Sequence, residues 1–228
     1  MFRAPSRVRK RSIGNAFPYR SGVRILLAAL AVVASAPNVA KLVLTPSQVG
    51  KGYVRVERRD GAGVTNTVTL NLCGVAGYPS EKLRTARRQF DYLKRGSVLG
   101  LSNEVVRYTP GGAKQAMREV RRHALHCPTT PIPTGQAGLP PLRFRITQVK
   151  DANLLKGYLA LRIRVTGTVK GKRVDQTSYA VYQRVGDVLS GTYSFGPNTP
   201  AQRRFALRAA EQSALNLRRG GQPSGPIA

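Results

Sequence analysis

The stretch "YLALRIRVTGTVKGKRVDQTSYAVYQRVGDVLSGTYSF", Tyr158–Phe195, decides the fold. Leu159, Leu161, Ile163 and Val165 alternate with Ala160, Arg162 and Arg164, the period-two pattern of a strand with one apolar and one polar face. Lys170-Gly171 and Gly186-Asp187 stand where two-residue hairpin turns would. The spacing predicts three antiparallel strands, over Tyr158–Val169, Val174–Val185 and Val188–Phe195. Just upstream, "LRFRITQ" (Leu142–Gln148) alternates the same way, with Leu142, Phe144 and Ile146 on one face and Arg143 and Arg145 on the other.

Downstream, "NTPAQRRFALRAAEQSALNLRR" (Asn198–Arg219) reads as a helix: Thr199 as cap, Pro200 at the first helical position and Gln202 completing a capping box. Leu207, Ala210, Ala214 and Leu217 form its buried stripe. The first half has the same plan. Tyr53–Glu57, Thr65–Cys73 and Leu101–Tyr108 read as strands, while Arg84–Leu93 fits a helix or a strand. "TPGGAKQAMREVRRHALHC" (Thr109–Cys127) follows as a helix capped by Thr109, with Pro110 first and Ala113, Ala116, Met117, Val120 and Ala124 in one apolar stripe. Cys127 ends that stripe, and Lys114, Arg118, Arg121 and Arg122 fall on the outer face. Pro128–Pro141, with five prolines, connects the halves without having to separate two domains. The expected class is α+β: an antiparallel sheet with helices mainly on one face and one intramolecular disulfide. If both helices cover one face, the other face displays Arg143, Arg145, Arg162 and Arg164.

With 38 Lys+Arg against 10 Asp+Glu, the 228 residues carry a formal charge of +28. Such a chain attracts polyanions: nucleic acid, lipid headgroups or wall polymers. Residues 1–40 read as a basic leader, with "ILLAALAVVASA" (Ile25–Ala36) as the apolar core of a signal peptide, too short for the roughly 20 residues of a spanning helix. The alternative is a buried helix after a basic tail. Without the leader's seven basic residues the remainder still carries +21. One domain is expected over 41–219, with 220–228 as a disordered tail. An exported or membrane-tethered location makes Cys73 and Cys127 a disulfide, contributing about 4 kcal/mol in the chain-entropy picture. Two buried free thiols are the alternative.

Catalytic chemistry is sparse. His123, His126 and Cys127 fail as a metal set, because 127 lies further round the helix and no fourth ligand is near in sequence. Two exposed histidines at a helix end are the simpler reading. There is no G-x-S-x-G elbow, no phosphate-binding glycine loop, and no pairing of carboxylates legible in the sequence, so neither a cofactor nor an enzymatic activity is expected. Nucleic-acid binding remains a second reading through Lys114, Arg118, Arg121 and Arg122, and through Arg203, Arg204 and Arg208. Neither helix sits in a helix-turn-helix setting, and aromatics are not interleaved with the arginines. An unrecognised hydrolase comes third.

Four stretches also carry a resemblance: "LNLCGVAGYPSEKLRTARRQ" (Leu70–Gln89), "SNEVVRYTPGGAKQAMREVRRHALHC" (Ser102–Cys127), "YAVYQRVGDVLSGTYSF" (Tyr179–Phe195) and "RFALRAAEQSALNLRR" (Arg204–Arg219). Together they resemble the actinobacterial extracytoplasmic sensor-domain family, which includes the external domains of PknH-type serine/threonine kinases and related secreted lipoproteins. The resemblance spans roughly Leu42 to Arg219. It implies a non-catalytic antiparallel α/β domain with a ligand cleft. This chain departs from it in allowing one disulfide rather than two and in lacking a lipobox and a kinase domain. The resulting expectation is an exported binding or sensor-like domain for an anionic wall polymer, lipid headgroup or acidic ligand, with a separate signalling partner if it signals. Arg143, Arg145, Arg162 and Arg164, and the Lys114–Arg122 helix face, are the candidate anion contacts.

Overall fold

Both halves of the chain contribute strands to one sheet. In the computed structural model, which describes residues 38–65, 67, 70–134 and 138–221, the strands are β1 (Val54–Glu57), β2 (Asn71–Leu72), β3 (Val75–Ala76), β4 (Arg84–Leu93), β5 (Gly100–Tyr108), β6 (Arg143–Gln148), β7 (Leu159–Val169), β8 (Lys172–Val185) and β9 (Val188–Gly196). Seven of them form an antiparallel sheet in the order β1-β4-β5-β9-β8-β7-β6, and β2 and β3 form a separate hairpin. The predicted three-strand meander is β7-β8-β9, and β6 adds to its outer side. Pairing of β5 with β9 joins the halves in one sheet across the proline-rich connector. The helices are α1 (Pro46–Val49), α2 (Gly112–Leu125) and α3 (Pro200–Gly221). None of the described helices is long and apolar enough to cross a membrane.

Arg84–Leu93 resolves as a strand because it pairs on both sides, with β1 and β5. Of the strand expected over Thr65–Cys73 only Asn71–Leu72 forms, while Asn66, Val68 and Thr69 lie outside the described residues, as do residues 1–37 of the expected leader and 222–228 of the tail. The α2 start is also corrected. Gly111 has φ 82°, which no helical residue can adopt, so Thr109–Gly112 closes a turn and the helix begins at Gly112 rather than Pro110. Thr199 does cap α3, accepting from the Gln202 amide at 3.2 Å. The Gln202 side chain, however, leaves the expected capping box and donates to the Thr177 carbonyl on β8 at 2.7 Å. The same Thr-Pro-x-Gln wording does close a box at Thr45–Gln48, where no sheet competes for the glutamine.

The α+β class and the disulfide stand, but the long helices take opposite faces of the sheet. Strand residues of one parity face α2: Ala180, Tyr182 and Leu189 pack with Ala113, Ala116, Met117 and Val120. Residues of the other parity face α3: Val181 packs with Ala210, Val105 with Ala214 and Leu217, and Ser190 hydrogen-bonds Ser213 at 2.7 Å. The inner strand β5 is consequently buried on both faces from Gly100 to Val106. Val39, Leu42 and Val43 pack under the end of α3, and Asn103 accepts from the Leu44 amide at 2.9 Å, fixing the N-terminal segment to the sheet.

Candidate functional site

The four candidate arginines of the sheet share one face, as the alternation requires. Arg145 lies directly across from Arg164, Arg143 across from Thr166 and Arg162 across from Thr147. That face is the α3 side, so the condition for an uncovered arginine face fails; the arginines project at the β6–β7 end of the sheet instead. Two are already engaged. Arg164 forks onto Asp175, with its Nε donating at 2.8 Å, and holds that carboxyl below its usual range. Arg162 donates to the Asn198 side chain at 3.0 Å, just ahead of α3. Arg143 and Arg145 are exposed, and among the described residues no ion pair forms at either.

These two arginines border a groove of about 450 Å³ between the edge strand β6 and the end of α2. Leu125 and Cys127 close its helix side, Phe144 and Ile146 its strand side, and no acidic residue lines it. Its lining comes from both faces of β6, with Arg164 and Thr166 of β7 beside Arg145 and Arg143, so the groove runs along the outer end of the sheet where β6 is the edge strand. Leu125 is 62% exposed there, an apolar side chain that no described element covers.

On α2, Lys114, Arg118 and Arg122 are exposed as the helical spacing predicts. Arg121 instead clamps the loop before β7, donating to the Gly157 and Tyr158 carbonyls at 3.1 and 3.0 Å. The histidines separate as well. His126 is exposed, with its Nδ1 2.7 Å from the Arg122 carbonyl, whereas His123 is half-buried with its ring 4.9 Å from that of Tyr78. The pair of exposed helix-end histidines is therefore only half right. Among the described residues no three His, Cys, Asp or Glu side chains come together as a metal site would need.

Cys73 and Cys127 are bonded, with Cα atoms 5.5 Å apart. Cys73 and Gly74 form the two-residue turn between β2 and β3, at φ 56° and 74°. Positive φ at both central residues is the hairpin geometry that matches strand twist. The bridge pins this hairpin to the end of α2, at the rim of the groove.

Sequence reasoning missed a buried ionic cluster on the α2 side of the sheet. Arg87 on β4 donates to Glu104 on β5, to the Asp60 carbonyl and to Gln89. Tyr193 donates to the other Glu104 oxygen at 3.4 Å. Beside them, Arg84 pairs with Glu81 at 3.4 Å and donates to the Thr67 carbonyl at 2.7 Å. Burial pushes the Glu104 carboxyl up to about 7, against the lowering effect of Arg87. Tyr78 is raised to about 12 by burial and by Glu119 and Glu81. Gly191, directly opposite Glu104, lets Tyr193 lie across it: a β-carbon there would stand 2.4 Å from the Tyr193 hydroxyl. The cluster is sealed, Glu104 being 3% exposed, and it braces the sheet rather than facing a ligand.

No protein-family model matches the sequence, and no curated protein matches it either. A solved structure does match, the crystal structure of the extracellular domain of PknH from Mycobacterium tuberculosis, with a TM-score of 0.50 over 78% of this chain and 97% of that one. The chain has the fold of the PknH extracellular domain. At 13% identity the likeness to PknH is one of architecture, and it agrees with the sensor-domain fold that the four sequence stretches imply.

Proposed function

We propose that this chain is a non-catalytic, sensor-like binding domain that works outside the cytoplasm and takes an anionic ligand at the β6 edge. The observation that carries the reading is the groove: two exposed arginines, Arg143 and Arg145, on a lining that holds no acid. The disulfide supports an oxidising location, and the likeness to the PknH extracellular domain supports a sensor-type scaffold. Glu104, whose carboxyl pKa is raised by burial, is enclosed in the sheet and does not line this groove. Arg162 and Arg164, already engaged by Asn198 and Asp175, position the patch rather than bind. The α2 cations Lys114, Arg118 and Arg122 form a separate surface.

The test compares binding of polyglutamate, polyphosphate and phosphatidylglycerol vesicles by the wild type, Arg143→Ala/Arg145→Ala and Lys114→Ala/Arg118→Ala/Arg122→Ala. The expected result is a tenfold or greater loss only in the β6 variant, with a shallower salt dependence. Equal binding by the wild type and the β6 variant would remove this edge as the site.

A further inference from the structure

Resting on the anion-binding reading of the β6 edge, we infer that the occupant of the groove is an extended acidic polypeptide segment that adds to the sheet as an eighth strand. The edge is already used once in this way. Ile132 pairs with Leu142, just ahead of β6, its amide donating to the Leu142 carbonyl at 2.8 Å and its carbonyl accepting from the Leu142 amide at 3.0 Å. Both polar groups of Leu142 therefore point away from β7. In an antiparallel ladder this direction alternates, so those of Phe144 and Ile146 point outward as well, while Arg143, Arg145 and Thr147 bond to β7. Among the described residues no strand pairs beyond β6 at Phe144 or Ile146. An edge of this kind, flanked by a helix end, receives a peptide through main-chain hydrogen bonds and selects it through alternate side chains.

The faces of β6 dictate which side chains the guest carries. Residues of an added strand that stand opposite Phe144 and Ile146 point to the α2 side, toward Leu125. Those opposite Arg143 and Arg145 point to the other side, among guanidinium groups. The complementary guest alternates apolar and acidic residues. A mineral or lipid anion satisfies the arginines but leaves the Phe144 and Ile146 main-chain groups and the apolar wall without partners.

The probe is a capped Val-Glu-Val-Glu peptide, which in antiparallel register sets its valines opposite Ile146 and Phe144 and its glutamates opposite Arg145 and Arg143. It is added to the oxidised protein, with binding read by fluorescence anisotropy and by amide hydrogen exchange. Expected are slowed exchange at the Phe144 and Ile146 amides and at least tenfold weaker binding by Arg143→Ala/Arg145→Ala. A peptide of the same sequence with N-methylated valines, and a block peptide with its valines and glutamates segregated, are each expected to bind at least tenfold more weakly than the parent. Ile146→Pro, which removes an outward N–H and no bond to β7, is expected to lose the peptide while keeping polyphosphate binding. If the N-methylated peptide binds as well as the parent and Arg143→Ala/Arg145→Ala weakens both, strand addition is overturned while the anion reading stands. Binding of polyphosphate or vesicles but of no peptide, lost in the arginine variant, has the same meaning. Binding of every probe unaffected by the arginine variant overturns both.

Discussion

Removing the Cys73–Cys127 bridge tests the link between the chain's topology and its stability most directly. The cysteines are 54 positions apart, and the loop they close contains all of β4, β5 and α2. In the chain-entropy picture, opening such a loop in the unfolded state costs the native protein about 4 kcal/mol. For a domain of this size that corresponds to a fall of about 8–16 °C in the melting temperature. The replacement at 73 matters, because Cys73 sits at φ 56°. Alanine retains the left-handed cost, whereas glycine relieves about 1 kcal/mol of it. Cys73→Gly/Cys127→Ala is therefore expected to lose about 3 kcal/mol and Cys73→Ala/Cys127→Ala about 4. Urea unfolding of both variants, and of the wild type with and without reductant, gives these values, and the denaturant slope should rise as the unfolded chain opens. Coincident midpoints for oxidised and reduced wild type would refute the reasoning, as would an alanine variant more stable than its glycine counterpart.

Glu104→Gln changes the response to pH. The folded carboxyl titrates near 7 and the unfolded one near 4.5, so between these values the native state holds a proton that the unfolded state has released. Wild-type stability therefore falls as pH rises through that window, by on the order of 3 kcal/mol, and the glutamine variant lacks this component. Urea midpoints at pH 4.5 and pH 8 should show the variant gaining on the wild type, and a pH-independent difference would count against the assignment. Asn103→Ala leaves the buried Leu44 amide without its acceptor and removes the side-chain bonds to the Ser190 hydroxyl and the Gly191 carbonyl. A loss of about 3 kcal/mol is expected by calorimetry, with early exchange of the Leu44 amide. Gly191→Ala forces Tyr193 off Glu104 and should cost about 1–3 kcal/mol, visible in the same melts; an unshifted melt would show that the ring moves freely.

Most elements were legible because their signals are local. Alternation from Leu159 to Val165 and the turn at Lys170-Gly171 need only neighbouring residues, and so do the apolar stripes of α2 and α3. Local signals misled where a distant partner competed. Gln202 left its capping box for Thr177, and Arg121 left its basic face for the Gly157 and Tyr158 carbonyls. At the candidate site, the exposure of Arg143 and Arg145 follows from their parity on β6. The engagement of Arg162 and Arg164 depends on Asn198 and Asp175, on other elements of the chain.

By itself the sequence determined the class, the meander, the helix stripes and the single permitted disulfide. It could also place Arg143 and Arg145 on one side of a strand. Only the tertiary structure decided that α2 and α3 take opposite faces, that β5 meets β9, that Arg87 meets Glu104 and that β6 ends the sheet beside α2. The reason is physical. Periodicity reports which face of an element is apolar, but not which of two apolar faces a helix will cover, nor the register between strands separated by long connections. Those choices follow from the summed burial and hydrogen bonding of the whole sheet.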